Sequence, residues 1–303
     1  MLRKNLGFNK VKKKYLDFLK SQEVLSEPFR DKEDQFYRFY LPLSNTILEE
    51  FQKDKKTKII GLTGGQGSGK STISSILKII LKEAHNLNTV VFSIDDFYKT
   101  FKERKKMSLN VSQLFLTRGV PGTHDTKFLL KSLLKLKKFR FKKIMIPKFD
   151  KSIDDRLPKT RWQRIKKKPD IVIFEGWCVG ATPQKNKDLK MSINRLEKEK
   201  DIKRVWRKRV NFELKNDYKK IFKQIDKNIF LKVPSFNHVF KWRLLQEKKL
   251  KTKSKGKKIM NNAQIKNFIM YYERLTKHMM KNFKSDVIIN IDSNHKLKSI
   301  KYY

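Results

Sequence analysis

The chain has 303 residues, of which 38% are hydrophobic and 12% aromatic, enough for a large core and too apolar for a disordered polymer. Its formal net charge is +44, but the lysines run through nearly the whole sequence in an Ile- and Asn-rich background. That spread reads as compositional bias with a field that steers anionic substrates, rather than as a dedicated nucleic-acid surface. One cysteine, Cys178, excludes an internal disulfide framework, and no apolar run approaches the roughly 18 residues that span a bilayer. No signal-type apolar stretch follows the basic start from Met1 to Lys20, so a cytoplasmic protein without a membrane partner is expected.

In chain order, Val11, Tyr15, Phe18 and Leu19, then Phe36, Tyr37, Tyr40, Ile47, Leu48 and Phe51, recur at helical spacing. They predict a helical extension over 1–56, with breaks at Pro28 and Pro42, packed on a domain over 57–303. The β-forming run Ile59, Ile60, Gly61, Leu62 then enters Gly64, Gly65, Gln66, Gly67, Ser68, Gly69, Lys70, Ser71 and Thr72, followed by Ile73, Ile76, Leu77 and Ile80 at helical spacing. Strand, glycine-rich loop and helix together satisfy the Walker A pattern. Its glycines let successive amide N–H groups point into one concavity that cradles phosphate oxygens, at the positive end of a helix dipole. Lys70 is expected at the β- and γ-phosphates of ATP and the Ser71 hydroxyl on Mg²⁺. Gly64 to Thr72 therefore form the predicted nucleotide site.

Thr89 to Ile94 is a buried-strand run ending in Asp95, Asp96, Phe97 and Tyr98. Carboxylates at the carboxyl end of a strand in a doubly wound sheet face the ligand crevice, which puts Asp95 where an acceptor hydroxyl meets the γ-phosphate. Capping the next helical turn is the alternative role for either aspartate. Residues 99–117 are basic and irregular and predict a flap. Arg118, Gly119, Val120, Pro121, Gly122, Thr123, His124 and Asp125 form a turn-rich loop, and Asp125 is also placed to cap a helix over 126–138. Ile144 to Ile146 is a short strand leading towards Arg156, whose guanidinium suits a carboxylate or phosphate.

Ile171 to Phe174 are four consecutive apolar residues that predict a buried parallel strand, with Glu175 at its carboxyl end as the Mg²⁺-side acid. Beyond it the pattern predicts a long amphipathic helical segment over 188–225, a strand over 228–233 and a helix bearing Arg243. Arg243 is the candidate cation for charge on the transferring phosphoryl group. A lysine-rich loop over 248–258, a helix over 262–283 and a strand over 287–291 complete the reading. The expected fold is a P-loop NTPase-type three-layer α/β/α domain with a mostly parallel sheet.

The chain resembles the P-loop kinases of metabolites, the group of uridine kinase, phosphoribulokinase and bacterial pantothenate kinase, through Gly64 to Ser71, Asp95 to Tyr98 and Phe174 to Gly176. It is most similar to the D-glycerate 3-kinase family through the segments Arg118 to Asp125, Pro147 to Ser152 with Asp155 and Arg156, and Glu175 to Gly180. Trp206 and Arg207, Pro234 to Phe236, Trp242 and Arg243 with Gln246 and Glu247, and Tyr272 to Thr276 extend the likeness over roughly 58–292. The resemblance implies transfer of the ATP γ-phosphoryl group to a small hydroxyl compound, D-glycerate foremost. It also implies catalysis by Asp95, Lys70 and Arg243, and an acceptor pocket from Asp96, Tyr98, Arg118, His124, Asp125 and Arg156. One departure stands out: the family pattern expects a glycine before the Asp-Arg pair, and Ile153 and Asp154 stand there.

Overall fold

A computed structural model describes residues 2–23, 28–253 and 260–303. The chain opens with helix α1 (Leu2–Gln22), then a short α2 (Lys32–Gln35) that passes through a π-helical turn, Phe36–Tyr40, into α3 (Leu41–Gln52). Pro42 therefore does not break the helix. It occupies the first turn of α3, where a missing N–H is harmless, directly after the wide turn in which Leu41 N–H bonds the carbonyl of Phe36.

Strand β1 (Lys58–Gly64) leads through the phosphate loop into α4 (Lys70–His85), and β2 (Thr89–Ser93) ends in a 3-10 turn, Ile94–Phe97. Next come α5 (Phe101–Asn110), a 3-10 turn at Gln113–Leu116 and α6 (Thr126–Lys137), which Asp125 caps through the N–H of Phe128. Two small hairpins pair β3 (Ile144–Ile146) with β6 (Gln163–Ile165) and β4 (Phe149–Asp150) with β5 (Asp155–Arg156). Strand β7 (Ile171–Gly176) is followed by α7 (Arg195–Lys200), α8 (Val205–Glu213), a π-helical turn at Leu214–Tyr218 and α9 (Lys219–Phe222). Strand β8 (Lys227–Lys232), helices α10 (Phe236–Lys253) and α11 (Asn262–Asn282), and strands β9 (Val287–Ile291) and β10 (Leu297–Tyr302) end the chain.

The main sheet runs β10-β9-β8-β1-β7-β2, all parallel except β10 at one edge. Alternation within β1 sends Ile59 to one face and Ile60 and Leu62 to the other, and each face carries its own buried core. On the first, Phe92, Val172 and Phe174 pack under Leu129 and Leu133 of α6, Trp206 of α8, Tyr218 and Tyr272 of α11. On the second, Ile173, Ile229 and Leu231 meet Ile76 and Ile80 of α4, together with Val11, Tyr15, Phe36 and Ile47 from the amino-terminal helices. Each fully buried Ile or Leu contributes about 1.5–3 kcal/mol. This is the three-layer α/β/α fold that the strand and loop pattern predicts.

Three readings are corrected. Residues 99–117 are ordered as α5 and a 3-10 turn, because Thr100 and Glu103 form a reciprocal capping box and Arg104 takes the place of an apolar stripe. Arg104 is fully buried and donates to the carbonyls of Lys99, Leu116 and Asp154, a hydrophilic anchor that apolar periodicity does not reveal. The segment 188–225 is not one long helix, since Asp201 and a left-handed Arg204 (φ 61°) interrupt it. The lysine-rich stretch is helical through Lys253 as the end of α10, and 254–258 lies outside the described residues. Strand β10 lies outside the sequence reading, because its exposed Lys298 and Lys301, three residues apart, break the alternation of a half-buried strand.

Candidate active site

The phosphate loop lies at the carboxyl end of β1, and its backbone explains its glycines. Gly67 and Gly69 have φ of 78° and 83°, a region costly for other residues. A side chain on Gly67 would also meet Cβ of Trp242 at 2.6 Å, because α10 lies directly on the loop. His295, from the β9–β10 turn, packs its ring 4.0 Å from that of Trp242 and bonds the Gly67 carbonyl at 3.0 Å. Gly69 faces open space, with nothing within 4 Å of an added Cβ.

Lys70 curls back over this loop, its Nζ donating to the carbonyls of Gly64 (3.0 Å) and Gly65 (2.9 Å). Burial pushes its pKa down, opposed by the carboxylates of Glu175 and Asp95. The buried Oγ of Ser68 and Oε1 of Gln66 have no partner among the described residues, as befits a cradle whose polar groups are completed by a ligand. Ser71 Oγ donates to Glu175 Oε1 at 3.3 Å. Glu175 ends β7, between β1 and β2, and burial raises its pKa while Lys70 opposes the rise. A hydroxyl and a carboxylate at this spacing are hard oxygen donors suited to Mg²⁺ together with phosphate and water.

Across the crevice, the turn after β2 divides the labour of its two aspartates. Asp96 is the capping partner: its Oδ2 accepts from the N–H of Ser93 (3.1 Å) and from Lys148 Nζ (2.9 Å). Burial raises its pKa, against the pull of Lys148. Asp95 is left facing the site, with Oδ2 accepting from Lys151 Nζ at 2.7 Å and Oδ1 from the Tyr98 hydroxyl at 2.9 Å. Burial alone would raise its pKa, but Lys151 in charge and hydrogen bond outweighs it, with Tyr98 assisting, and holds the carboxyl at about 2. Asp95 is therefore an anion at neutral pH.

Tyr98 stacks on the buried His124 at 4.5 Å, and a β-bridge joins the two residues. Arg156 donates to the Tyr98 carbonyl (2.9 Å) and lies 3.6 Å from Asp125. Arg118 and Asp154 form an ion pair, and Asp154 also meets the buried Arg104 at 3.0 Å. Asp154 has φ 56°, so the place where the family pattern expects glycine does adopt the left-handed conformation. Here an aspartate tolerates it by pairing with two guanidinium groups.

Asp95, Tyr98 and His124 thus join in one cluster, while Lys70, Ser71 and Glu175 form the opposite wall. Arg243 pairs with Glu247 on α10, lies over the Phe268 ring of α11 at 5.7 Å and acts electrostatically on the Tyr272 phenol. Lys151, Tyr218 and Tyr272 are functional candidates that sequence reasoning did not assign. Lys151 stood inside a quoted motif without a role, and Tyr272 reaches the acceptor loop by donating to the Arg118 carbonyl at 3.1 Å. Only their spacing to distant residues in three dimensions distinguishes them. Among the described residues no cluster of three or more His, Cys, Asp or Glu could hold a metal unaided, and no helix is long and apolar enough to cross a membrane.

A glycine-rich loop opening a helix, with an acid on the neighbouring strand and a second carboxylate across the crevice, defines a P-loop phosphotransferase. Residues 59–228 match the Phosphoribulokinase / Uridine kinase family, and the chain belongs to that family of ATP-using kinases acting on small molecules. It is 35% identical over 240 residues to the uncharacterized kinase mug58 of Schizosaccharomyces pombe, covering 75% of this chain and 83% of that one. It is 26% identical over 258 residues to the chloroplastic D-glycerate 3-kinase of Arabidopsis thaliana, covering 78% of this chain and 53% of the plant protein. The solved D-glycerate 3-kinase of Cryptococcus neoformans shares the fold, with a TM-score of 0.74, 23% identity and coverage of 87% of this chain and 99% of that one.

Proposed function

We propose that this kinase transfers the γ-phosphoryl group of ATP to a hydroxyl of a small hydroxy acid, D-glycerate giving 3-phosphoglycerate being the leading case. The observation that carries the reading is Asp95, an anionic carboxylate that bonds the exposed Lys151 ammonium and the Tyr98 hydroxyl and lies within electrostatic reach of Lys70. With a pKa of about 2 it is a weak base, so its contribution is to orient the acceptor hydroxyl and to take its proton late. A loose phosphoryl transfer asks for little more. Gly64 to Thr72 bind the phosphates, and Lys70 exchanges its two carbonyl partners for phosphate oxygens. Ser71 and Glu175 would hold Mg²⁺, which neutralises phosphate charge when bound. Lys151, Arg118 and Arg156 supply cations for the acceptor's acid group, with Asp96 and Asp125 bracing the loops that carry them. Arg243 acts on the transferring group only by leaving Glu247.

A second acceptor of the same superfamily, the uncharged nucleoside uridine, is favoured by one feature: Asp154 already occupies Arg118, which a substrate carboxylate such as that of glycerate or pantothenate would otherwise claim. The test is an acceptor panel with purified protein, ATP and Mg²⁺, with Lys70→Ala as the inactive control. Turnover of D-glycerate to phosphoglycerate is expected. Turnover confined to uridine or pantothenate would move the acceptor, and ATP hydrolysis stimulated by RNA or DNA without small-molecule transfer would overturn the reading.

A further inference from the structure

We infer that Tyr218 sets the tautomer of His124, leaving the imidazole proton on Nε2 as a built-in hydrogen-bond donor for an acceptor oxygen next to the reacting hydroxyl. Tyr218 closes the π-helical turn after α8, far from every motif of the phosphate loop, and is fully buried. Its hydroxyl lies 3.0 Å from the N–H of Gly122, from which it accepts, and 2.5 Å from His124 Nδ1. A phenol has one proton to give and two lone pairs. With Gly122 on one lone pair, the hydroxyl proton needs an acceptor, because a buried donor left unspent forfeits its hydration without return. His124 Nδ1 is the acceptor that faces it. Nδ1 is then bare, and the ring proton resides on Nε2.

His124 Nε2 is buried and has no partner among the described residues. A buried donor left unpaired beside Tyr98 and within electrostatic reach of Asp95 is a place for a ligand oxygen. The surroundings say which one. The Tyr98 ring stacked on His124 carries the hydroxyl that reaches Asp95, and the Asp95 carboxylate acts electrostatically on the imidazole. The reacting oxygen directs one lone pair to phosphorus and its proton to Asp95, and a hydrogen bond from Nε2 to its second lone pair would blunt its nucleophilicity, so the Nε2 donor serves a neighbouring oxygen of the acceptor. An acceptor bearing oxygens on adjacent carbons is therefore selected, which rests on the reading of the Asp95 side as the acceptor side. Burial pushes the His124 pKa down to about 3, against the raising effect of Asp95 and with Lys99 lowering it further, so the ring stays neutral through the working pH range. His124 is then neither a base nor a cation, and Tyr218 is a positioning residue acting through it.

The experiment is ¹⁵N–¹H correlation of the imidazole rings in ¹⁵N-histidine-labelled full-length protein, with His124 identified by its loss in His124→Gln. The expected wild-type spectrum has His124 Nδ1 unprotonated and Nε2 protonated, unchanged from pH 5 to 8. Tyr218→Phe should shift both nitrogens towards a mixture of tautomers, and a protonated Nδ1 in the wild type would overturn the inference. Should Tyr218→Phe fail to fold, the wild-type tautomer alone decides. In kinetics with the accepted substrate, Tyr218→Phe and His124→Leu should raise the acceptor KM about tenfold while leaving the ATP KM in place, with partial recovery in His124→Gln, which keeps an N–H. An unmoved acceptor KM in His124→Leu contradicts the donor role. The ring measurement needs no substrate, so a failure of D-glycerate as acceptor leaves it standing, and a wrong tautomer defeats it even where D-glycerate is turned over.

Discussion

Substitution of Asp154 separates backbone strain from charge at the acceptor loop. The residue sits at φ 56°, which costs an ordinary L-residue about 1–2 kcal/mol and glycine almost nothing. Its carboxylate pairs with Arg118 and with the fully buried Arg104. Removing the partner of a buried charge costs about 3–5 kcal/mol, but Arg104 keeps three carbonyl acceptors, including the backbone carbonyl of Asp154 itself, and the carboxylate is 36% exposed. The charge loss is thus discounted to about 1–2 kcal/mol. Asp154→Ala loses the charge and keeps the strain, for about 1–2 kcal/mol of destabilisation, whereas Asp154→Gly relieves a similar amount of strain and, with the entropy glycine adds to the unfolded chain, lands at about 0.5–1 kcal/mol. Urea unfolding at constant m-value measures both. Equal stability of the two variants, or a less stable glycine variant, would refute the left-handed conformation at this position. Asp154→Gly also releases Arg118, so the KM of a carboxylate-bearing acceptor should fall several-fold while that of ATP does not move.

Three further outcomes follow from the site. Asp95→Asn should leave ATP affinity near wild type in equilibrium binding and lower turnover about 10²–10⁴-fold in a coupled ADP assay; an unaffected rate removes Asp95 from the mechanism. Gly67→Ala should cost about 2–4 kcal/mol and weaken ATP binding, since a methyl group there meets Trp242 at 2.6 Å on a left-handed backbone, whereas Gly69→Ala, with nothing within 4 Å, should cost only the backbone term of about 1 kcal/mol. Thermal melts of the pair distinguish the two causes. Asp95 also ties stability to acid pH: its carboxyl lies at about 2 in the fold against 3.8 unperturbed. The stability it adds is therefore present above pH 4 and lost as pH falls through 2. It amounts to about 1–2 kcal/mol once screening of the exposed Lys151 is allowed for, and Asp95→Asn should flatten that limb of the denaturation curve.

Local chemistry made the donor wall legible. A strand, a glycine loop and a helix are contiguous, and the positions of Lys70, Ser71 and Glu175 follow from where parallel strands end. The acceptor wall is assembled from four separated stretches, around 95–98, 118–125, 148–156 and 218, whose approach depends on packing. The strand end already favours Asp95 for the acceptor hydroxyl, with capping open to either aspartate, and the bonds of Asp96 to Ser93 N–H and Lys148 identify it as the capping residue. Tyr218 gives no signal in sequence because its partner lies 94 residues away, and α5 was misread because a buried arginine does the work of an apolar face. Arg243 shows the converse case, a residue in a recognisable motif whose partners in the fold are Glu247 and Phe268.

The partners of the cations bear on which acceptors the kinase accepts. Lys70 rests on two neutral carbonyls, so a triphosphate replaces ion–dipole contacts with full ion pairs, and the donor side is ready to bind. The acceptor side starts from ion pairs: Lys151 with Asp95, Arg118 with Asp154, and Arg156 near Asp125. A hydroxyl that reaches Asp95 must displace Lys151, whose side chain is 61% exposed, so the break costs only about 1–2 kcal/mol. A neutral acceptor leaves that ammonium without its carboxylate. An acidic one gives it a new anion within reach, and the same substitution holds at Arg118 if Asp154 yields. On the proposed function, a hydroxy acid would be preferred because it completes ion pairs that its own hydroxyl has opened, and that preference should weaken as ionic strength rises, because the exchanged pairs are partly solvated.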